Sequence, residues 1–407
     1  MNRVRTAMII GGGIAGPVTA CALRKAGIEA TVYEAYADIA PGDASGGALS
    51  IAPNGLDALR VIGAEEAVSA IGEPTSDMVF ENGRGRRLGA AAGLPGLPPS
   101  RTVLRADLHR VLREHALGHD IRTEHGRRLV GVREEPDGVT AEFADGSTAT
   151  ADILIGADGI RSTVRTLIDP AAPAPEYVGL LGFGVGAHIP GEGDRDGDAR
   201  PAPGTMHFAF GKRAFFGYWT QSDGSVALFS NLPHPPMTTA EARAVPAERW
   251  LGLLREAHAG DIPAEAVLRA ASADDVLVAG PLELMPPLPH WHRDRLVLVG
   301  DSAHAPSASS GQGASLAMES GIQLARCLRD FPDPTAAFAA YEAMRRPRVE
   351  KIAAAAAKTN NSKAAGPLTK AVMALLMPIM TRTVLTPERM FGEAQRHHID
   401  WSAPAAA

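Results

Sequence analysis

The 407-residue sequence predicts an α/β protein, in which an antiparallel β-sheet domain is inserted into a Rossmann-type dinucleotide-binding domain. The first observation is an apolar strand at residues 7–10 that runs into the pattern G-x-G-x-x-G. The second is that three apolar strands end in an acid, at Glu34, Asp158 and Asp301. The third is an aromatic, β-rich stretch between the last two acids. Ligands of open α/β sheets bind where such strands end, so the acids mark a candidate site.

The glycine pattern consists of Gly11, Gly13 and Gly16 and precedes an apolar helical segment. Gly11 permits the tight turn, Gly13 lets a pyrophosphate approach the backbone, and Gly16 lets the helix pack closely on the strand. Backbone N–H groups at the helix start, including those of Ile14 and Ala15, then face the phosphates. The chain contains 43 glycines, so the pattern alone would also fit an ordinary βαβ turn.

Glu34 strengthens the dinucleotide interpretation. It ends the second strand, near the roughly 20-residue spacing at which an acid accepts a hydrogen bond from an adenosine ribose. The pattern indicates a dinucleotide without specifying which one.

Composition and charge exclude several classes of function. The net charge of −6 gives no basic surface for nucleic acid or an anionic membrane. Cys21 and Cys327 have no zinc-ligand spacing, so we expect no metal site and a reducing, cytoplasmic location. The apolar residues 371–380 are too few to span a membrane and predict a C-terminal helix instead. Nothing in the sequence indicates an oligomeric state.

Changes in residue composition and pattern along the chain predict that it is organised in four parts. Residues 64–104 are expected to contribute to the substrate side, and residues 190–203 form a long polar connection. The parts are the first portion of the dinucleotide domain at 1–175, a β-sheet domain at 176–285, the return of the first domain at 286–355, and a helical segment at 356–407.

The inserted sheet is rich in aromatic residues. Phe208, Phe216 and Tyr218 are candidate substrate contacts, because a sheet face lined with rings suits a flat apolar ligand. Packing in a hydrophobic core would produce the same composition.

Further candidates lie near the strand ends. Gly47 follows a glycine in a loop (residues 43–47), and Asn54 is predicted to cap a helix at 56–61. Arg105 opens a helix, where a surface position or an anion contact are both possible. Gly159 follows Asp158 in what could be a plain turn. After Asp301, Gly311 and Gly313 place free N–H groups at a helix start, whereas His304 is expected to be a structural hydrogen-bonding residue.

Three segments taken together resemble the single-component FAD-dependent aromatic hydroxylases. They are Gly11 to Gly16 with Glu34, the run GADGIRSTVR at 156–165, and GDSAH at 300–304 with GQG at 311–313. This group shares the para-hydroxybenzoate hydroxylase fold, a GR2-like Rossmann domain. The runs GALSIAPNG at 47–55 and GKRAFFGY at 211–218 are similar to its tetracycline-inactivating and salicylate-type branch.

The resemblance implies roles for the candidate residues. Asp158 and Gly159 would contact both FAD and NAD(P)H, and Arg105 would contact FAD. Gly11, Gly13 and Gly16 would hold the FAD pyrophosphate, Glu34 the ribose, Asp301 the ribityl chain, and Gly311 to Gly313 the flavin ring. The family's usual proline is replaced by Ala308, and its arginine shortly after the strand-two acid is missing.

The resemblance also implies an activity. NAD(P)H would reduce FAD, O₂ would form a C4a-hydroperoxide, and one oxygen would hydroxylate or epoxidise an aromatic or polyketide-like molecule. The cofactor carries this chemistry, and the sequence identifies no catalytic acid or base. Two alternatives are a dehydrogenase or reductase on the same fold and a flavoprotein that only sequesters a hydrophobic ligand.

Overall fold

The structure is a computed structural model that describes residues 3–37, 47–189, 200–363 and 386–405. The predicted loop at 43–46, most of the long connection at 190–203 and the predicted helix at 371–380 lie outside the described residues. Among the described helices, none combines the length and the apolar character needed to cross a membrane.

The described strands are named in chain order. They are β1 (Thr6–Ile10), β2 (Glu29–Tyr33), β3 (Ala48–Ile51), β4 (Glu73–Thr75), β5 (Asp77–Asn82), β6 (Arg87–Ala91), β7 (Ser100–Leu104), β8 (Arg122–Glu124), β9 (Leu129–Glu135), β10 (Gly138–Phe143), β11 (Thr148–Ala151), β12 (Ile153–Gly156), β13 (Glu176–Ala187), β14 (Thr205–Phe210), β15 (Phe215–Thr220), β16 (Val226–Pro233), β17 (Val276–Leu284), β18 (His292–Arg293) and β19 (Leu296–Leu298).

The described helices are named in the same way. They are α1 (Ala15–Lys25), α2 (Pro53–Val61), α3 (Glu65–Ala70), α4 (Arg105–Gly118), α5 (Thr163–Ile168), α6 (Thr239–Ala244), α7 (Ala247–Ala257), α8 (Ile262–Ala270), α9 (Gly313–Asp330) and α10 (Pro334–Lys363). Short 3₁₀ turns cover Ala273–Asp275, Gly300–Ser302 and Ala308–Ser310. A π-helical turn at Glu388–Gly392 continues into a helical turn at Glu393–Gln395.

The first sheet has the strand order β18-β19-β12-β1-β2-β8. All its pairs are parallel except β18–β19. Its central strands are apolar on both sides, and Ile9, Leu154 and Val297 are fully buried, as expected for a parallel sheet covered by helices on both faces. Helices α1 and α9 pack so closely that a Cβ on Gly321 would lie 2.4 Å from Thr19 Oγ1.

The second sheet has the order β17-β13-β16-β15-β14-β5-β6. Its neighbouring strands are antiparallel, except for the parallel pair β14–β5. Strands β5 and β6 come from the 64–104 segment and extend the sheet beyond residues 176–285. Two three-stranded sheets, β11-β10-β9 and β3-β7-β4, complete the described sheets. The architecture therefore confirms the predicted fold class, whereas the exact domain boundaries remain a prediction.

The two faces of the second sheet have different surroundings. Residues at alternate positions of a strand point to opposite faces. Phe183 and Phe216 lie on the face covered by helices α6 to α8, in a cluster that includes Trp250. Phe208 and Phe229 lie on the other face, called here the open face, where both are only partly buried.

Candidate functional site

The ends of three neighbouring strands place the predicted loops side by side. Ile10 lies opposite Gly156, and Gly156 lies opposite Leu298. The N–H of Ala157 donates to the carbonyl of Ile10 at 2.8 Å, and the N–H of Val299 donates to that of Gly156 at 2.9 Å. The loops of Gly11, Asp158 and Asp301 therefore leave the first sheet at one edge.

The three glycines of the first loop have different surroundings. Gly11 has a φ of +108°, and a Cβ there would lie 2.4 Å from the carbonyl oxygen of Ala157. A Cβ on Gly16 would lie 2.0 Å from the carbonyl oxygen of Gly11. Gly13 differs, because no described heavy atom lies within 4 Å of its hypothetical Cβ. Gly11 and Gly16 thus close the turn, while Gly13 leaves its backbone open to a ligand beside Ile14 and Ala15, where α1 starts.

Glu34 is held rigidly beside this turn. Its Oε2 accepts a hydrogen bond from the N–H of Gly12 at 2.7 Å, and its Oε1 accepts one from the N–H of Tyr36 at 3.0 Å. Each carboxylate oxygen retains a further lone pair for a hydroxyl group.

The carboxylate of Asp158 is hydrogen-bonded within its own loop. Its Oδ1 accepts a hydrogen bond from the Ser162 hydroxyl at 2.5 Å, and its Oδ2 accepts from the N–H groups of Thr163 and Val164 at 2.7 and 3.1 Å. Burial raises the pKa of Asp158, although these hydrogen bonds oppose the rise. Gly159 follows with a φ of +75°. The carboxylate therefore shapes the turn before α5, so a contact of this loop with a ligand falls to its backbone.

Asp301 is in the opposite situation. Burial raises its pKa, and the positive charge of Arg105 partly offsets this. Within the described residues its carboxylate accepts no hydrogen bond from the protein. The preceding residue, Gly300, has a φ of +62° and packs against α1 and α9, since its Cβ would lie 3.0 Å from Ala15 Cβ and 3.1 Å from Ala317 Cβ. Asp301 is thus a desolvated acceptor without a protein partner in the described part of the chain.

The segment from Gly47 to Gly55 joins the same site. The Arg105 N–H donates to the Gly47 carbonyl at 3.3 Å, which places Gly47 beside the arginine whose charge lowers the pKa of Asp301. At its other end, a Cβ on Gly55 would lie 2.6 Å from Ser315 Oγ, which also accepts a hydrogen bond from the Ala52 N–H at 3.1 Å. This segment therefore packs against the first turn of α9.

The loop before α9 exposes backbone in the same region. Gly311 has a φ of +59°, and hypothetical Cβ atoms on Gly311 and Gly313 meet no described heavy atom within 4 Å. Since α9 begins at Gly313, its unpaired N–H groups and positive dipole end are available to an electron-rich group.

Two of the candidate substrate contacts lie in a hydrophobic cluster. Phe216 is fully buried in the helix-covered cluster, and Tyr218 belongs to the same cluster. The Tyr218 hydroxyl donates to Glu81 Oε2 at 2.6 Å, and burial, followed by the charge of Glu81, raises the pKa of Tyr218. Neither ring faces the open side with Phe208, so both fit the core-packing alternative of the sequence analysis better than a substrate contact.

The predicted role of Asn54 as a helix cap is corrected. The structure places it at the second position of α2, after Ala52 and Pro53, and its side chain does not cap the helix. Its Nδ2 instead donates to Gln312 Oε1 at 3.0 Å and to Glu319 Oε1 at 2.6 Å. The sequence analysis also missed Glu319, although an acid within an apolar helical run was a usable signal.

Two other residues connect the site internally. Arg165, also missed, is buried, and its Nη1 and Nη2 donate to the carbonyls of Ser302 and Ile160 at 3.2 and 2.7 Å, which ties the Asp158 and Asp301 loops together. His304 is buried and pairs with Ser320 Oγ at 2.8 Å. Burial, helped by the charge of Arg345, lowers its pKa to about 3. It is therefore neutral near pH 7, as expected for a structural residue.

The arrangement fits FAD. The open backbone at Gly13 and the start of α1 suit a pyrophosphate. The partnerless carboxylate of Asp301 suits a hydroxyl-bearing chain. The N–H of Gly311 is donated to the carbonyl of Ala308 at 3.1 Å, so the N–H groups that suit an electron-rich ring are those at the start of α9, from Gly313 onward. Within the described residues, no group of histidine, cysteine or acidic side chains could hold a metal ion.

Comparison with known protein families decides the identity of the fold. A family model described as an FAD binding domain matches residues 4–185 and 288–356, more than half of the chain. The chain belongs to this family. Among its relatives, the FAD-dependent urate hydroxylase of Klebsiella pneumoniae is 31% identical over 362 residues, which cover 86% of this chain and 88% of that protein. The aurachin C monooxygenase/isomerase of Stigmatella aurantiaca is 30% identical over 365 residues, with 86% and 87% covered.

A solved structure gives the same result. A single-residue variant of HpxO from Klebsiella pneumoniae, complexed with FAD, superposes with a TM-score of 0.81 at 25% identity, covering 95% of this chain and 97% of that one. These findings confirm the resemblance inferred from the three motifs and the FAD cofactor. The protein is an FAD-dependent monooxygenase of this family, in which NAD(P)H is the usual electron donor.

Replacing Asp301 is expected to have opposite effects on the affinity for FAD and on the stability of the FAD-free fold. For Asp301→Asn we expect FAD affinity to fall about ten- to a hundredfold, because a charged acceptor is lost. Because the folded-state pKa of Asp301 lies above its ordinary value of 3.8, ionisation disfavours folding. FAD-free wild type should lose stability as the pH rises from about 4 through the raised pKa, and the variant should lack this slope.

The measurements are FAD titration and thermal unfolding of the FAD-free protein across that pH range. Asp107→Asn, at a partly exposed acid of α4, is the matched control and should change neither quantity. Equal FAD affinity of wild type and Asp301→Asn would contradict the assignment.

Proposed function

We propose that this monooxygenase inserts oxygen into a planar, largely apolar aromatic ring that lies against the open face of the second sheet, beside Phe208. The observation that carries the proposal is the cluster of partly buried rings on that face. Tightly coupled FAD reduction by NAD(P)H and use of O₂ supply the chemistry, so the protein's task is to bind, orient and exclude water.

The cofactor contacts are proposed from the family resemblance together with the site geometry. Glu34 accepts hydrogen bonds from the adenosine ribose, Arg105 and Asp301 lie along the ribityl chain, and Asp158 fixes the turn whose backbone, at Gly159, borders the cofactor. The backbone of Gly11, Gly13, Ile14, Ala15 and Gly16 holds the pyrophosphate, and that of Gly47, Gly311 and Gly313 borders the flavin. FAD bound there supplies the electrons that activate O₂.

The open face carries a continuous group of rings. The Phe208 centroid lies 5.9 Å from that of Phe80, 6.2 Å from that of Phe215 and 6.2 Å from that of Phe229. These rings come from four neighbouring strands, β5, β14, β15 and β16. Phe80, Phe208 and Phe229 are partly exposed, and rings at such spacing bind a flat aromatic molecule by stacking and edge contacts.

Strand β13, which pairs with β16, adds no side chain to this face at three positions. Gly182, Gly184 and Gly186 occupy alternate positions of β13, on the face shared with Phe229, which pairs with Gly184. Between residues 182 and 187 of β13, and along β14 to β16, the positions that share this face carry no charged side chain. Urate, the substrate named for one relative, carries hydrogen-bonding groups along its edges, and such a face would leave these groups without partners. We therefore favour a more apolar aromatic substrate than urate.

Two contacts fix the second sheet beside the cofactor site. Arg161, which follows the Asp158 turn, forms an ion pair at 2.8 Å with Glu283 of β17. The N–H of Met285, just after β17, donates to the carbonyl of Ala305 at 2.8 Å. The edge strand β17 is thus tied to both loops that carry the acids, which supports placing the substrate between the sheet and the flavin.

The proposal is tested by turnover. Purified enzyme should consume NAD(P)H and O₂ faster with apolar phenols or fused aromatic rings than with urate, and the product should gain one atom from ¹⁸O₂. A product without label would support a dehydrogenase instead, and stimulation by urate alone would overturn the apolar substrate class.

Variants of two phenylalanines test which face binds the substrate. Phe208→Leu should raise KM about tenfold for the best substrate, with little change in the melting temperature. Phe216→Leu, on the helix-covered face, should lower the melting temperature and leave KM unchanged, since its ring packs in a core. The reverse pattern would contradict the proposed substrate face.

The cysteines support the proposed location. Cys21 of α1 and Cys327 of α9 are both buried free thiols. Burial raises the pKa of each to about 11, so neither forms a reactive thiolate near neutral pH. We propose a reducing, cytoplasmic compartment, in which such thiols are common.

A further inference from the structure

A buried ion cluster lies behind the loop that faces the flavin. Glu319 of α9 is fully buried, and its carboxylate contacts Arg345 Nη1 at 2.6 Å and Arg348 Nη2 at 2.8 Å, both from α10. Arg345 is itself buried and also donates to the carbonyl of Leu316 at 3.3 Å. A carboxylate so well paired is a fixed anchor within the protein interior.

Asn54 links this anchor to the loop. Its Nδ2 carries two hydrogens, of which one is donated to Glu319 and the other to Gln312. Gln312 lies between Gly311 and Gly313, at the N-cap position of α9, and its side chain is buried. A single amide therefore connects the ion cluster to the residue whose backbone neighbours border the cofactor.

The orientation of this amide is unusual in one respect. Asn54 is buried, and its Oδ1 has no hydrogen-bond partner in the described structure. An unsatisfied buried acceptor is costly, and such groups in folded proteins call for an explanation. Turning the amide over would place Asn54 Oδ1 against the Glu319 carboxylate, which when ionised is only an acceptor, and would lose that hydrogen bond. The observed orientation is thus the one that holds the loop.

We propose that Asn54 is a positioning residue for FAD, which acts by holding Gln312, and with it the backbone N–H groups around Gly313, against the Glu319 cluster. This inference rests on FAD binding and is independent of the substrate proposed above. It assigns Asn54 no contact with the reacting atoms. The test therefore uses FAD alone, without substrate or turnover.

The experiment is a double-mutant cycle on FAD affinity. Asn54→Ala removes the link but leaves Glu319 paired with both arginines, and Gln312→Ala removes the other end of the link. We expect each variant to release FAD about tenfold more readily on dilution of the holoenzyme, followed by flavin fluorescence. Because both changes break one connection, the double variant should be no worse than either single variant.

The control separates positioning from general loss of stability. Thr140→Val removes a partly buried hydrogen bond, 2.9 Å long, between the hydroxyl groups of Thr140 and Thr150 in the remote β9–β11 sheet, and should lower the melting temperature without changing FAD release. Unchanged FAD affinity in Asn54→Ala, or multiplicative effects in the double variant, would overturn the proposal. If wild type retains FAD and the Asn54 and Gln312 variants release it no faster than Thr140→Val does, the positioning role of Asn54 is overturned. That outcome would leave the proposed substrate unaffected.

Discussion

Replacing Gly16 with alanine is expected to abolish FAD retention and to destabilise the first βαβ unit. The new Cβ would lie 2.0 Å from the backbone carbonyl oxygen of Gly11, and the backbone fixes the positions of both atoms, so neither can rotate away. Relief requires α1 to move from β1, at a cost of at least about 1–3 kcal/mol for overpacking. The flavin-to-protein absorbance ratio of the purified protein and its melting temperature measure the two effects.

Gly13→Ala is the matched control for this prediction. No described heavy atom lies within 4 Å of its hypothetical Cβ, so the FAD-free variant should melt as wild type does. The added methyl group nevertheless occupies the space through which a pyrophosphate approaches the backbone. We expect FAD affinity to fall about a hundredfold, or about 2.8 kcal/mol. Wild-type affinity in Gly13→Ala would show that the phosphates bind elsewhere.

Replacing Glu319 with glutamine is expected to cost about 3–5 kcal/mol of stability, because it leaves buried Arg345 without a carboxylate. Burial alone would raise the pKa of Glu319, but Arg345 and Arg348 outweigh burial and lower it to about 2. A depressed pKa stabilises the folded state above the ordinary value of 4.5, and this contribution is lost as the pH falls from there to about 2. Wild type should therefore lose more stability than the variant across that window.

Urea unfolding at several pH values measures both effects. Glu114→Gln is the matched control, because Glu114 pairs with Arg110 at 3.3 Å on the exposed side of α4 and such surface pairs contribute little. If both substitutions changed stability equally, burial of the Glu319 cluster would not be the source of its strength.

Much of the cofactor edge could be predicted from the sequence because its signals are local. Each of the acids Glu34, Asp158 and Asp301 lies within three residues of the end of a short apolar strand, and glycines mark the turns. Parallel strands then bring their ends to one edge whatever the distance along the chain. That geometry accounts for the agreement between the predicted fold class and the structure.

The substrate face could be predicted only in part. Alternation along β15 separates Phe215 from Phe216 and Tyr218, so the sequence does show that these rings face opposite sides. It does not show which side helices α6 to α8 cover, because that depends on where those later segments pack. The sequence analysis therefore chose Phe216 and Tyr218, although helix packing buries both.

The partners of Asn54 could not be predicted for a similar reason. An asparagine before a helical run favours a capping role, which is a local interaction. Its actual partners, Gln312 and Glu319, are distant in the chain, at separations of 258 and 265 residues. No local pattern reports such a contact, and only the packing of α2 against α9 creates it.

The position of β12 between β1 and β19 has a consequence for biosynthesis. A nascent chain can pair β1 with β12 once about 156 residues have left the ribosome. Strand β19 and the start of α9 have both emerged only after about 313 residues. Until then the site lacks the Asp301 loop and the start of α9, although the glycine turn can already close against Ala157. Flavin capture is thus a late event in synthesis, and a polypeptide truncated before that point would remain colourless.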